Sequence, residues 1–344
     1  MPKKKEKSLG FDEALMQMDG VEAPNDEALC ALSGAGAEQQ PAFEKMWRTL
    51  DADRRTAICD RLIEIAHDDV EMEFTLVFRI GLRDADARVR LAAAHGLWEE
   101  ASPDVITPLV QVLRTDADLK VRAAAAQSLG HFLYASEIEE LSAVRGREIY
   151  SALLMTLRRT DDESSLYQRA LESIAYSGTV DVDFFLRSAT ASDDAGLKMS
   201  GVIGMGRSNN HEYQSLVRAE LHHVSPHVRR EAARAAGELE DVDAVKDLAE
   251  LIDDSERAVC EAALESLAQV GSFDAKRIIE SVIASADDDL KEKAEEALQM
   301  YEMLHGDFDF NVNIFDEESR TSFHALNAVK MLKFGRGGAA KSDK

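Results

Sequence analysis

The sequence predicts an all-α protein, a right-handed α-solenoid of about seven or eight helix pairs. Three observations predict it. A motif returns at a fixed interval, each return carries the apolar spacing of a helix, and the composition suits helices, with aromatics at 6% and only 6 prolines.

The motif is plainest in Asp86-Ala-Arg-Val89-Arg-Leu-Ala-Ala93, Asp118-Leu-Lys-Val121-Arg-Ala-Ala-Ala125 and Ser225-Pro-His-Val228-Arg-Arg-Glu-Ala232. Anchoring on the apolar residue gives Val89, Val121, Leu166, Leu197, Val228, Val259 and Leu290, spaced by 32, 45, 31, 31, 31 and 31 residues. Four identical spacings mark a repeat array.

Each repeat contains two helices. The second opens three residues before the anchor on a capping residue, Asp86, Asp118, Asp194, Ser225 or Asp287, with Pro226 tolerated in the first turn. Four residues after the anchor stand Ala93, Ala125, Ala170, Gly201, Ala232, Ala263 and Ala294, small enough for neighbouring helices to approach closely. Eight after it, Leu97, Leu129, Ile174, Met205, Ala236, Leu267 and Leu298 complete the apolar stripe. The first helix of the pair shows twenty residues past the anchor, in Leu109, Leu186, Val217, Leu248 and Ile279, often followed four later by Leu113, Leu221, Ile252 or Ile283. Gly130, Gly178, Gly237 and Gly271 fall near the ends of second helices and are expected to form left-handed C-caps. One helix pair cannot bury both faces, so the repeats must stack.

The 45-residue spacing is one repeat plus 14 residues, which places an insertion near 136–147, before a helix starting around Glu148. Upstream, Phe43 to Leu50 and Arg54 to Ala66 read as an atypical terminal pair, with Leu62 in the small-residue column. The solenoid therefore covers 41–304. Residues 1–40 read as a flexible segment in which Phe11, Ala14, Leu15 and Met18 form a short helix that either docks elsewhere or folds back as a cap. In 305–344, Phe308, Phe310, Val312 and Ile314 alternate with polar residues as in an extended strand. Phe323, Leu326, Val329, Lys330 and Lys333 then suit a basic amphipathic helix. Strand and helix either cover the last repeat or meet a membrane surface or acidic partner.

The pattern D-x-x-V-R-x-x-A-A-x-x-L-G in 31-residue units resembles the HEAT repeats of the phycobilisome-lyase type, over residues 68 to 304. Most proteins with such repeats resemble binding scaffolds rather than lyases. Deoxyhypusine hydroxylases resemble the fold but need repeated His-Glu pairs for iron, and here only His211-Glu212 forms one. HEAT-like DNA glycosylases present a basic groove, and the charge has the wrong sign for that. The formal net charge is −25; Lys3, Lys4, Lys5 and Lys7 against Glu6 give +3, and residues 320–344 give +5, which leaves −33 between them. Such a body repels nucleic acid and favours basic partners.

Cys30, Cys59 and Cys260 are far apart, with no metal spacing, and imply a reducing, cytoplasmic setting. Asp12, Glu13, Asp19 and Glu22 interrupt the apolar residues that a secretory signal would need, and no run approaches 18 apolar residues. His211, His222, His223 and His227 cluster, but Pro226 breaks any single helix that would present them together, so surface histidines are expected rather than a metal site. Gly201-x-x-Gly204-x-Gly206 lies on the small-residue face of a second helix and reads as packing, not a phosphate loop. Arg90, Arg122, Lys198, Arg229 and Lys291 form a column directly after the anchor, expected to pair with the cap-position carboxylates as a charge ladder.

The expected function is that of a non-catalytic scaffold, adaptor or assembly factor, with no cofactor or metal and with protein partners, basic ones favoured. A bilin-lyase-like enzyme and a peripheral membrane factor held through the C-terminal helix are the alternatives. Candidate interface residues are Trp98, His131, Tyr134, Tyr176 and Arg207, at or just after the ends of second helices, which usually line the concave face of such solenoids. Phe308, Phe310 and Phe323 join them from the C-terminal segment.

Overall fold

A computed structural model describes residues 9–18, 20, 24–98, 102–159, 165–285 and 288–305. Phe308, Phe310 and Phe323, with the whole reading of 306–344, lie outside the described residues. Among the described residues every regular element is helical. The chain divides into two compact units, residues 1–182 and 183–344.

In the first unit lie α1 (Phe11–Met18), α2 (Asp26–Cys30), α3 (Gln40–Trp47), α4 (Ala52–Asp68), α5 (Thr75–Gly81), α6 (Ala87–Gly96), α7 (Ile106–Thr115), α8 (Leu119–Glu137), α9 (Ala143–Arg159) and α10 (Ser165–Ile174). Helix α11 (Val180–Thr190) carries the boundary. The second unit continues with α12 (Ala195–Arg207), α13 (Gln214–Glu220), α14 (Pro226–Glu238), α15 (Val245–Glu250), α16 (Arg257–Val270), α17 (Phe273–Ala284) and α18 (Asp288–His305). Second helices pack on one another: α4, α6, α8 and α10 in the first unit, and α12, α14, α16 and α18 in the second. First helices lie against them, which is the two-helix repeat predicted from the spacing.

The sequence columns form the core. The anchors Val89, Val121, Val228 and Val259, the small residues Ala93, Ala125, Ala232 and Ala263, and the first-helix residues Leu109, Val217, Leu248 and Ile279 are all buried. The cap carboxylates act as caps: Asp86 accepts from the Arg88 N–H, Asp118 from those of Lys120 and Val121, and Asp194 from that of Leu197.

The glycines differ from expectation. Gly271 alone of the four has the left-handed backbone, at φ 70°. Elsewhere Asn209 and Glu240, twelve residues past their anchors as Gly271 is, turn the chain at φ 50°. Gly130 and Gly237 instead lie inside α8 and α14, where they allow neighbouring helices to touch. A Cβ at Gly237 would stand 2.9 Å from the Ser266 Cα, and one at Gly130 2.8 Å from the Ser173 Cβ. Gly201 and Gly206 serve the same end against Thr190 and Ala235.

The charge ladder also differs. Arg90 donates from Nε and Nη2 to Asp116 at 2.7 and 3.0 Å, and Arg229 makes the same pair of bonds to Asp254 at 2.7 and 2.8 Å. Lys198 reaches Glu220 at 3.1 Å. Asp116 and Asp254 stand in the next repeat's turn, two residues before its cap position, and Glu220 at the end of α13. Arg122 departs from the column and donates within its repeat to the Leu113 carbonyl at 2.7 Å. In the terminal pair Cys59 holds the column, and Arg55, one turn earlier, supplies the cation to Asp84 at 3.0 Å.

Helices also occupy parts of the insertion and of residues 1–40. Most residues of the insertion extend α8 to Glu137 and start α9 at Ala143, since no glycine or proline stops α8 before Glu139 turns left-handed at φ 65°. In residues 1–40, Asn25 caps α2, and Leu29 and Leu32 are buried. Helix α1 packs on α2 and α3 and buries Ala14, Leu15 and Met18.

Candidate functional site at the ends of the second helices

The second-helix stack of the first unit brings two of the expected residues into contact. The rings of Tyr134 on α8 and Tyr176 just beyond α10 lie 5.4 Å apart, tilted by 56°. Their contact is possible because α8 runs on past the point where the other second helices stop, carrying Tyr134 out to the level of the α10 terminus. His131, three residues before Tyr134, faces Phe132 edge-on at 5.7 Å. Burial lowers the His131 pKa, and burial followed by the nearby Glu140 raises that of Tyr134. All three candidate residues are half-buried: part of each ring is fixed by packing and part remains open to a partner.

Trp98 follows the end of α6 and is also half-buried, its backbone N–H bonded to the His95 carbonyl at 3.0 Å. Arg207 ends α12 in the second unit, whereas the tyrosines belong to the first.

A neighbouring polar column escaped the sequence reading. Six residues after the anchors stand His95, Gln127 and Glu172 on α6, α8 and α10. Glu172 is 2% exposed and accepts from Arg169 Nη1 at 2.6 Å. The His95 ring keeps solvent access on one side, yet the protein around it and then the Arg169 charge lower its pKa. Reading each column for polar residues amid the apolar stripe would have revealed it. The histidines of the second unit are engaged separately: His211 with Gln214, His222 with Asp247 at 3.5 Å, and His223 as acceptor from the Ser225 N–H.

What these ends present is aromatic surface, phenol hydroxyls and imidazoles of lowered basicity, near a buried Glu172 paired with the half-buried Arg169. That is the chemistry of contact: large rigid rings that lose little entropy on binding and carry their own hydrogen-bonding groups.

The period and the stacked helix pairs match a known family. The model of the HEAT repeats covers residues 75–175 and 215–299, more than half the chain. The chain belongs to the HEAT-repeat family. A search among curated proteins gives no match. Among solved structures, this HEAT-repeat chain is similar to the CpcE–CpcF phycocyanin lyase of Nostoc sp. PCC7120, at 16% identity and TM-score 0.47, over 74% of this chain and 94% of that one. It is similar to importin beta at 11% identity and TM-score 0.46, over 94% of this chain and 48% of that one. Human deoxyhypusine hydroxylase is similar at 15% identity and TM-score 0.34, over 77% and 96%. No helix among the described residues is long and apolar enough to cross a membrane.

Proposed function

We propose that this HEAT-repeat protein is a non-catalytic cytoplasmic scaffold that holds a protein partner against the second-helix ends of its first unit. The Tyr134–Tyr176 pair carries the reading, since two rings from neighbouring repeats meet at 5.4 Å without being fully buried. Packed, half-open aromatic pairs are the usual anchors of an interface. The net charge of −25 supports a basic partner, whose association the field would accelerate.

The test is affinity capture from the native host by the full chain and by a Tyr134→Ala/Tyr176→Ala variant, with identification by mass spectrometry. A stoichiometric protein lost by the variant, while its far-ultraviolet spectrum and melting remain normal, supports the scaffold. Capture of a small chromophore or lipid alone would overturn it.

A further inference from the structure

The end of the second unit has an uncovered face. In α12, α14 and α16 the residues five and nine past the anchor press on the following repeat: Val202, Ala233, Leu264 and Ala268 are 0% exposed, and Gly206 and Gly237 are buried with them. On α18 the same two positions are Glu295 and Gln299, both exposed. Another repeat, from this chain or from a second copy, would bury the Glu295 carboxylate against its own helix, which is costly for an uncompensated charge. Apolar columns are nevertheless left open there. Leu290, Leu298 and Ile283 are only half-buried, whereas their equivalents Val259, Leu267 and Ile252 are 1%, 0% and 9% exposed. The face therefore fits a cover that combines apolar side chains with cations.

The chain supplies such a segment at that place. The Tyr301 hydroxyl donates to the Gly271 carbonyl at 3.2 Å, and a His305 ring nitrogen lies 3.0 Å from the Ala268 carbonyl, so the end of α18 is pinned to the end of α16. From His305 onward come 39 residues, opening with Phe308, Phe310, Val312 and Ile314 and continuing to Lys330, Lys333 and Arg336. Glu292 and Glu295 are exposed on α18 to receive the cations. The opposite end of the chain already does this, where α1 folds back on α2 and α3. We propose that residues 306–344 fold back on the α17–α18 face, their apolar residues covering Leu290, Leu298 and Ile283 and their cations meeting the α18 carboxylates.

Hydrogen exchange on the full-length protein tests it, at several concentrations. In a Phe308→Ser/Phe310→Ser/Val312→Ser/Ile314→Ser variant, amides of α17 and α18 should exchange about tenfold faster or more, with α8 unchanged. A Lys330→Glu/Lys333→Glu/Arg336→Glu variant should show a smaller acceleration at the same helices that fades at high salt. Unchanged α18 exchange in either variant would overturn the proposal. Protection of α18 that grows with protein concentration would also overturn it, by assigning the face to a second copy.

Discussion

Arg90 leaves its own repeat to grip Asp116 in the next one, with two parallel bonds of 2.7 and 3.0 Å and a third guanidinium contact to the Asp84 carbonyl at 2.9 Å. Arg229 repeats the arrangement on Asp254 and the His223 carbonyl. Each clasp thus ties a turn to the turn before it, with side chains only 16% exposed on the arginine of either pair.

Removing one partner strands the other in a poorly solvated site. An Arg90→Ala change should destabilise the first unit by about 2 kcal/mol, between the values for exposed and for buried pairs. The loss should be seen as faster amide exchange in α6 and α8 and as a lower urea midpoint. Arg122→Ala, which gives up a bond inside its own repeat, should cost less.

The clasps also set an acid limit. Burial alone would raise the Asp116 pKa, but the hydrogen bonds from Arg90 and the Asp118 N–H outweigh it, and the carboxyl ends below its ordinary value of 3.8. Asp254 is lowered chiefly by the bond from Arg229. Because these folded values lie below the unfolded one, the stability they contribute is whole above about pH 4 and is lost as pH falls through the folded values. Arg90→Ala and Arg229→Ala should each flatten the dependence of the urea midpoint below about pH 4. An unaltered slope would mean that the pairs contribute nothing.

Gly237 tests close packing against helix propensity. Alanine ordinarily improves a helix interior by about 1 kcal/mol. Here its Cβ would sit 2.9 Å from the Ser266 backbone, so Gly237→Ala should instead destabilise α14 and α16 by about 1–2 kcal/mol. Gly178→Ala, with nothing within 4 Å, should change the melting temperature little.

The thiols should separate by accessibility. Cys59 is fully buried, and its pKa is driven far up by burial and then by Asp60 and Asp84. Cys260 is buried and hydrogen-bonded to the Asp254 carbonyl at 3.2 Å. A maleimide or disulfide reagent should therefore modify the half-buried Cys30 first, and the other two only after denaturant is added.

The repeat columns were legible because the same burial recurs every 31 residues, so each anchor and each small residue reinforced the reading of the others. The exceptions share a cause. Glycine is selected both where two helices must touch, as at Gly237 inside α14, and where a chain must turn left-handed, as at Gly271 past the end of α16. Which carboxylate an arginine takes depends on the offset between stacked repeats, a tertiary quantity, so the cap column that includes Asp118 was expected and Asp116, two residues before it, is the partner in space. Tyr134 and Tyr176 could be nominated singly, but their contact depends on how far α8 continues into the insertion. His95 and Arg169 influence each other across two repeats, a relation that no local spacing encodes.

The near-contact of Gly237 with Ser266 gives adjacent second helices a fulcrum. Around a point where two backbones touch without intervening side chains, neighbouring helices can rock by small angles while their contact length stays fixed. The Arg229–Asp254 clasp joins the same two repeats in the turn. In the second unit the same two parts recur at the α12–α14 and α14–α16 boundaries, a glycine at the helix contact (Gly206, Gly237) and an ion pair (Lys198–Glu220, Arg229–Asp254), whereas at α16–α18 Ala268 and Cys260 stand in their places, so the closest backbone approach and the clasp come and go together along the array.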